Sequence, residues 1–265
     1  MNVRRALRIA RVGCVLLLPL IVSCGATVKS LDTDPSFTAK AFADGGLALL
    51  GCTTVVMPGS DDLDLSDRYS PPLRQVIKEK QRGVEVAEWK NTRQTLGDEK
   101  IQECLKAFHD TGMLEPATLQ GLKGSLAGEA RYVLVHRIES DQLKFHLEEE
   151  QSNVEGEMGS VTTGYLLGTE RVIAIAFSIY DLEDGKRVCH ATIEDAKGER
   201  HEVGVSASST IGGIAGTTMD VNKDLDKIFN DDENPLSKFP SPPEQEEVVK
   251  RIYAKFAARL PAAMQ

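Results

Sequence analysis

Missing from this sequence are the patterns that mark most enzymes. It has no GxSxG nucleophile elbow, no HExxH helix and no dinucleotide fingerprint. The histidines, His109, His136, His146, His190 and His201, are nowhere at metal-ligand spacing. An envelope hydrolase, the least favoured class, would need His, Asp or Glu side chains to converge by folding. His136, His146 and His190 fall in candidate strands, so two of them meeting across a sheet is the one metal reading available. Glu148, Glu149 and Glu150 form an adjacent trio typical of a solvated surface. Three cysteines beyond residue 24, Cys52, Cys104 and Cys189, fit neither a CxxC pair nor a zinc cluster; one disulfide with a free thiol and three buried thiols are both open. No catalytic residue, cofactor or metal is expected, and no internal repeat is visible.

What is present at the start addresses the chain. MNVRRALRIAR carries four arginines and no acid, and VGCVLLLPLIVSC follows as an apolar run too short to span a bilayer. It ends in Leu20, Ile21, Val22, Ser23 and Cys24, which resembles a bacterial lipobox: aliphatic side chains, a small residue, then a cysteine whose sulfur takes the lipid. The expectation is a signal peptide over 1–23 and lipidation at Cys24. Cys14 lies inside the apolar run without a small residue before it. Several acyl chains on one residue make a lasting anchor. Gly25, in place of aspartate, resembles lipoproteins sent to an outer membrane, facing the periplasm.

Without the signal, 27 basic residues remain against 40 acidic, a formal charge of −13. That excludes nucleic acid as a partner, since phosphate neutralisation needs clustered Lys and Arg. About 240 residues suffice for a sizeable core. Residues 25–45 are mostly polar and read as a tether, leaving 46–265 as a single α/β domain.

Within that domain, GLALLGCTTVV predicts a first strand at 46–56 with a break at Gly51, and PGSDDLDLSD reads as an acidic loop without calcium-loop spacing. Pro71 is placed to open a helix carrying Leu73, Val76 and Ile77. VEVAEW, 84–89, reads as a strand. Thr95 and Asp98 precede a helix with Ile101, Cys104, Leu105 and Phe108 on one face, and Leu119, Leu122 and Leu126 mark a shorter helix. RYVLVHRIE, 131–139, suits a strand covered on both faces. DQLKFHLEEE and RVIAIAFSIYD alternate, and DLEDGKR turns into VCHATIED with Gly185 at the positive-φ position. The resulting fold class is α/β, or α+β: a mixed sheet with packed helices.

Residues 151–168 lack periodicity and read as a long loop. GVSASSTIGGIAGTTM, near 203–218, has no lysine for phosphate and reads as a flexible Gly/Ser-rich segment. Ser241, Pro242, Pro243 and Glu244 signal a capping box before a C-terminal amphipathic helix with Val248, Val249, Ile252, Tyr253, Phe256 and Leu260 on one face.

Two stretches, Ala130 to Glu139 and Phe177 to Val188, carry a family resemblance, supported by the amphipathic helix at 97–110 and the terminal helix. They resemble envelope lipoproteins related to the curli-production protein CsgG, the LpoB-type activators of peptidoglycan synthases and, more remotely, the N-terminal domain of TolB; in outline the likeness spans 46–260. The resemblance implies a periplasmic α/β domain that binds other proteins and offers no catalytic residues to carry over. CsgG-like members also build an oligomeric channel from amphipathic hairpins, for which the chain shows no plain pair of long alternating strands; 151–176 is the nearest. The expected role is a non-enzymatic, membrane-anchored binding or assembly protein with an envelope partner or self-association, the alternative an oligomeric secretion or export component.

Overall fold

The computed structural model describes residues 25–57, 59–154, 160–205 and 238–262, with only the backbone described at 149–154, 160–165 and 202–205. Cys24 and most of the segment near 203–218 lie outside the described residues.

Five strands form one mixed sheet: β1 (Thr27–Thr33), β2 (Leu47–Thr54), β3 (Tyr132–Val154), β4 (Ser160–Asp181) and β5 (Lys186–Val205), in the order β1-β5-β4-β3-β2. Only β2 and β3 run parallel; the other pairs are antiparallel. Helices α1 (Ala39–Gly45), α2 (Asp62–Lys80) and α6 (Gln245–Ala257) belong to one face, α3 (Trp89–Leu96), α4 (Asp98–Thr111) and α5 (Pro116–Ser125) to the other. The expected mixed α/β sheet is therefore the fold.

Burial on both faces explains the readable strands. All of LALLGCTT in β2 is buried. Along β4, Ile173, Ile175, Phe177 and Ile179 enter the core beneath α2 and α6, while Tyr180, with Leu182 just past the strand, enters the core beneath α3–α5. The break at Gly51 is a register shift with φ of 121°, where a Cβ would collide with the Ser66 hydroxyl. That hydroxyl accepts from the Cys52 N–H at 2.8 Å and donates to the Asp62 carbonyl at 2.6 Å, closing the outer edge of β2 against α2. The turn at Gly185 has the expected positive φ, 64°.

Several expectations are corrected. Residues 25–45 are not a free tether: β1 pairs with β5, and Phe37 and Phe42 pack edge-on to Tyr132 at 5.1 and 5.9 Å. A polar edge strand such as TVKSLDT gives no alternation, because a partner distant in sequence holds it. The acidic loop is the start of α2, with Asp61 as N-cap accepting from the Leu63 N–H at 2.8 Å and Asp62 and Asp64 in the first turn. Pro71 and Pro72 sit inside this helix rather than opening it. The stripe Leu65, Tyr69, Leu73 and Ile77, buried at successive four-residue steps, offsets the two lost N–H donors.

The 84–89 segment makes a single bridge, Leu47 to Val86, before α3 begins at Trp89. α4 carries its expected buried face but starts from Gly97, and Thr95 donates to Glu129 instead of capping. The 151–168 loop is largely strand: β3 runs to Val154 and β4 starts at Ser160, so a pair of long strands exists after all. The terminal helix docks the expected face but starts at Gln245 without a side-chain cap. Its two preceding prolines belong to an extended strap, pinned where Arg171 Nη1 donates to the Pro243 carbonyl at 3.0 Å.

Candidate interaction surface

Three of the strands outrun the rest of the sheet. β2 ends where Thr54 pairs with Ile138, and β1 begins where Thr27 pairs with Glu194. Beyond that row Asp141–Val154, Ser160–Ile173 and Asp195–Val205 continue together as a three-stranded ribbon. Among the described residues, β3 beyond Ile138 and β5 beyond Glu194 pair only with β4, so the ribbon has two open edges.

The ribbon's faces differ in chemistry. On the face that continues the α2 and α6 side, Leu143, Phe145 and Leu147 follow at alternate positions, each 42–43% exposed, and Leu167, opposite Leu147, is buried. Such a stripe of large exposed apolar groups is a candidate interaction surface. The opposite face carries Lys144, His146 and Glu148, with Glu170 3.6 Å from His146 and with Arg200 in the row of Gly168. Across the ribbon's base lies the strap Lys238–Glu244. Thr169 donates to the Pro240 carbonyl at 2.8 Å, and the Phe239 ring meets Phe145 edge-on at 5.2 Å.

The sequence-predicted chemical groups are dispersed. His136 is buried on the α6 side of β3, its Nε2 2.8 Å from the Tyr253 hydroxyl and its ring stacked over Phe177 at 5.9 Å. Burial pushes its pKa down to about 3, so it is a neutral core residue. His190 lies on the other face of the sheet, its Nδ1 3.1 Å from the Ser178 hydroxyl, and His146 lies out on the ribbon, so the anticipated meeting of histidines does not occur. Among the described residues no group of three His, Cys, Asp or Glu side chains is placed to hold a metal. Cys52, Cys104 and Cys189 are separate buried thiols, and burial raises the latter two to about 11, far from nucleophilic thiolates.

Sequence reasoning missed the ribbon as a unit. The signal was there in the shared parity of Leu143, Phe145 and Leu147 with Leu167, which lies directly opposite Leu147 and diagonally from Phe145 across β3 and β4. Among the described residues no helix is long and apolar enough to cross a membrane, a statement that does not bear on strands.

No family model matches the chain, and no curated protein matches it. Among solved structures it is similar to the PelC dodecamer from Paraburkholderia phytofirmans, at 14% identity over 90% of this chain and 99% of that one, with a TM-score of 0.35. It is also similar to the LpoB C-terminal domain from Salmonella enterica, at 13% identity over 60% and 82% with a TM-score of 0.27. Lipoprotein GNA1162 from Neisseria meningitidis matches at 12% identity over 70% and 99%, with a TM-score of 0.25. LpoB is one of the proteins named in the sequence resemblance; at these scores no role passes from any of the three to this chain.

Proposed function

We propose that the chain is a lipid-anchored, non-catalytic protein of the bacterial envelope that works by binding envelope proteins or further copies of itself, with the ribbon as its contact element. The observation that carries this reading is the ribbon's combination of an exposed apolar stripe and two strand edges that are open among the described residues. Open edges offer unpaired N–H and C=O groups to another chain, and monomers ordinarily blunt them. The core setting of His136 and of the three thiols supports the non-catalytic part.

The anchor fits the same geometry. Cys24 precedes Thr27 by three residues, about 10 Å of extended chain, and Thr27 pairs at the ribbon's base. A lipid on Cys24 would hold that end of the sheet near the membrane, with Gly25 directing the protein to an outer membrane. A second reading, the oligomeric export component, is favoured by the lengths of β3 and β4, 23 and 22 residues, against the roughly 9–11 that a membrane strand needs.

Crosslinking in intact cells, followed by membrane extraction and mass spectrometry, tests both. A heteromeric partner lost in Cys24→Ala supports the binding role. A homo-oligomeric ladder with a ring of defined stoichiometry after gentle detergent extraction moves the weight to export. A Cys24→Ala protein that stays in the membrane fraction defeats the anchor, and turnover by the purified mature chain defeats the non-catalytic reading.

A further inference from the structure

The ribbon's base is gripped through one continuous chain of polar contacts. The Tyr69 hydroxyl on α2 donates to Gln245 Oε1 at 2.7 Å, and Gln245 Nε2 on α6 donates to Asp141 Oδ2 on β3 at 2.9 Å. Asp141 Oδ1 lies 3.1 Å from Arg171 Nε on β4, and the same guanidinium donates to the Pro243 carbonyl of the strap at 3.0 Å. On β5, Asp195 pairs with Arg251 at 2.8 Å and Lys197 with Glu247 at 2.7 Å, so all three ribbon strands are tied to the same helix and strap.

α6 divides its work along its length. Val248, Val249, Ile252, Tyr253 and Phe256 are buried against the body, whereas Gln245 and Glu247 in its first turn make polar contacts to the ribbon. The apolar part is cohesive with the core, whereas the polar first turn is held to the ribbon by a few hydrogen bonds, each of modest net worth. β3 carries a register shift between Ile138 and Ser140, in the last rows before the ribbon, and a bulge is where a strand bends.

We infer that the strap and the first turn of α6 form a latch that fixes the ribbon's angle to the body, with the β3 bulge as pivot and the Tyr69–Gln245 contact at the α2–α6 seam as release point. Opening the latch lifts Phe239 from Phe145 and uncovers more of the apolar stripe, so the state of the α2–α6 seam governs how much of the ribbon is available for contact. The latch is a property of the fold and does not depend on which partner the ribbon meets.

Hydrogen exchange read by mass spectrometry on the full protein in detergent tests it. Tyr69→Phe keeps the ring that packs in the core, removes only the hydroxyl and touches no ribbon residue. It is expected to speed exchange of peptides within 142–148 and 166–171 about threefold, and Gln245→Ala about tenfold, with peptides from 47–54 and 132–138 unchanged. Unchanged ribbon peptides in both variants overturn the latch, as does equal acceleration of body and ribbon, which would mean general destabilisation. Spin labels at Ser30 and Glu148 give an independent reading: a broadened distance distribution in Gln245→Ala is expected, and a distribution matching the unsubstituted chain counts against the pivot.

Discussion

The same three strands live two different lives. In the body, β3 and β4 are sandwiched between helices and β5 is covered on its α6 face, and Ile175, Phe177 and Ile193 are sealed from solvent. In the ribbon they keep an unbroken ladder, yet Leu143, Phe145 and Leu147 stand half exposed. The ladder alone does not decide stability; the layer packed upon it does, because apolar burial dominates the favourable side of folding. What distinguishes the regions is therefore expected to appear as unequal sensitivity to the same substitution.

The largest contrast is between two phenylalanines. Phe177 stacks on Phe256 at 4.0 Å and on His136, and it is fully buried. Phe177→Ala is expected to destabilise by about 3–5 kcal/mol, as large-to-small changes in packed cores do. Phe145 meets the strap ring of Phe239 edge-on and keeps much of its surface in water. Phe145→Ala is expected to cost less than about 1.5 kcal/mol. Urea unfolding of the two variants gives the comparison directly, and equal losses would mean that the ribbon is as firmly packed as the body.

That contrast also sorts what the sequence made legible. β2 and the body half of β4 were readable because burial forces apolar side chains into LALLGCTT and IAIAFSIY. The helix faces of α4, α5 and α6 were readable because each docks one stripe on the sheet. The distal ribbon was hidden: at 151–168 the sequence shows little alternation, and the ladder there is set by pairing inherited from the rows below. α2 was obscured by Pro71–Pro72, a strong break signal overcome by the tertiary stripe around Tyr69, and β1 by its polar edge position. Of the candidate site, Leu143 to Leu147 was visible as a strand, but its exposure follows from the lack, among the described residues, of a helix packed over it, which no local pattern records.

Neighbouring residues on β5 sharpen the comparison further. Asp195 is buried and its carboxylate is held by Arg251 at 2.8 Å; burial raises its pKa while the guanidinium opposes the shift. Asp195→Asn removes the negative charge beside that guanidinium at a half-covered site. A loss of about 3 kcal/mol is expected by urea titration, since breaking a buried pair costs more than the pair gains. A variant as stable as the parent would show that solvent reaches the pair and that α6 does not seal the ribbon's base.

Acid acts on the body through His136. Its folded pKa of about 3 lies below the unfolded value near 6.5, so the unfolded chain binds the proton more readily. Stability from this group is complete above pH 6.5 and is lost as pH falls, at up to about 1.4 kcal/mol per unit. The slope is best measured between pH 6.5 and 5, above the ordinary range of unshifted carboxylates. His136→Gln, which keeps a polar atom for the Tyr253 hydroxyl, is expected to flatten it; an unaltered slope would locate the acid sensitivity elsewhere.

The smallest effect is expected one residue before Asp195, on the sheet's edge. Lys29 on β1 reaches Glu194 at 2.8 Å, the two side chains 50% and 36% exposed. Exposed pairs lose most of their Coulomb gain to water and to side-chain entropy, so Lys29→Ala should cost under about 1 kcal/mol, and less still in high salt. The pair nevertheless sits where β1 meets the ribbon's base. If Lys29→Ala cost as much as Asp195→Asn, the edge strand would be part of the grip on the ribbon, and the division between a packed body and a lightly held ribbon would have to be drawn beyond Glu194.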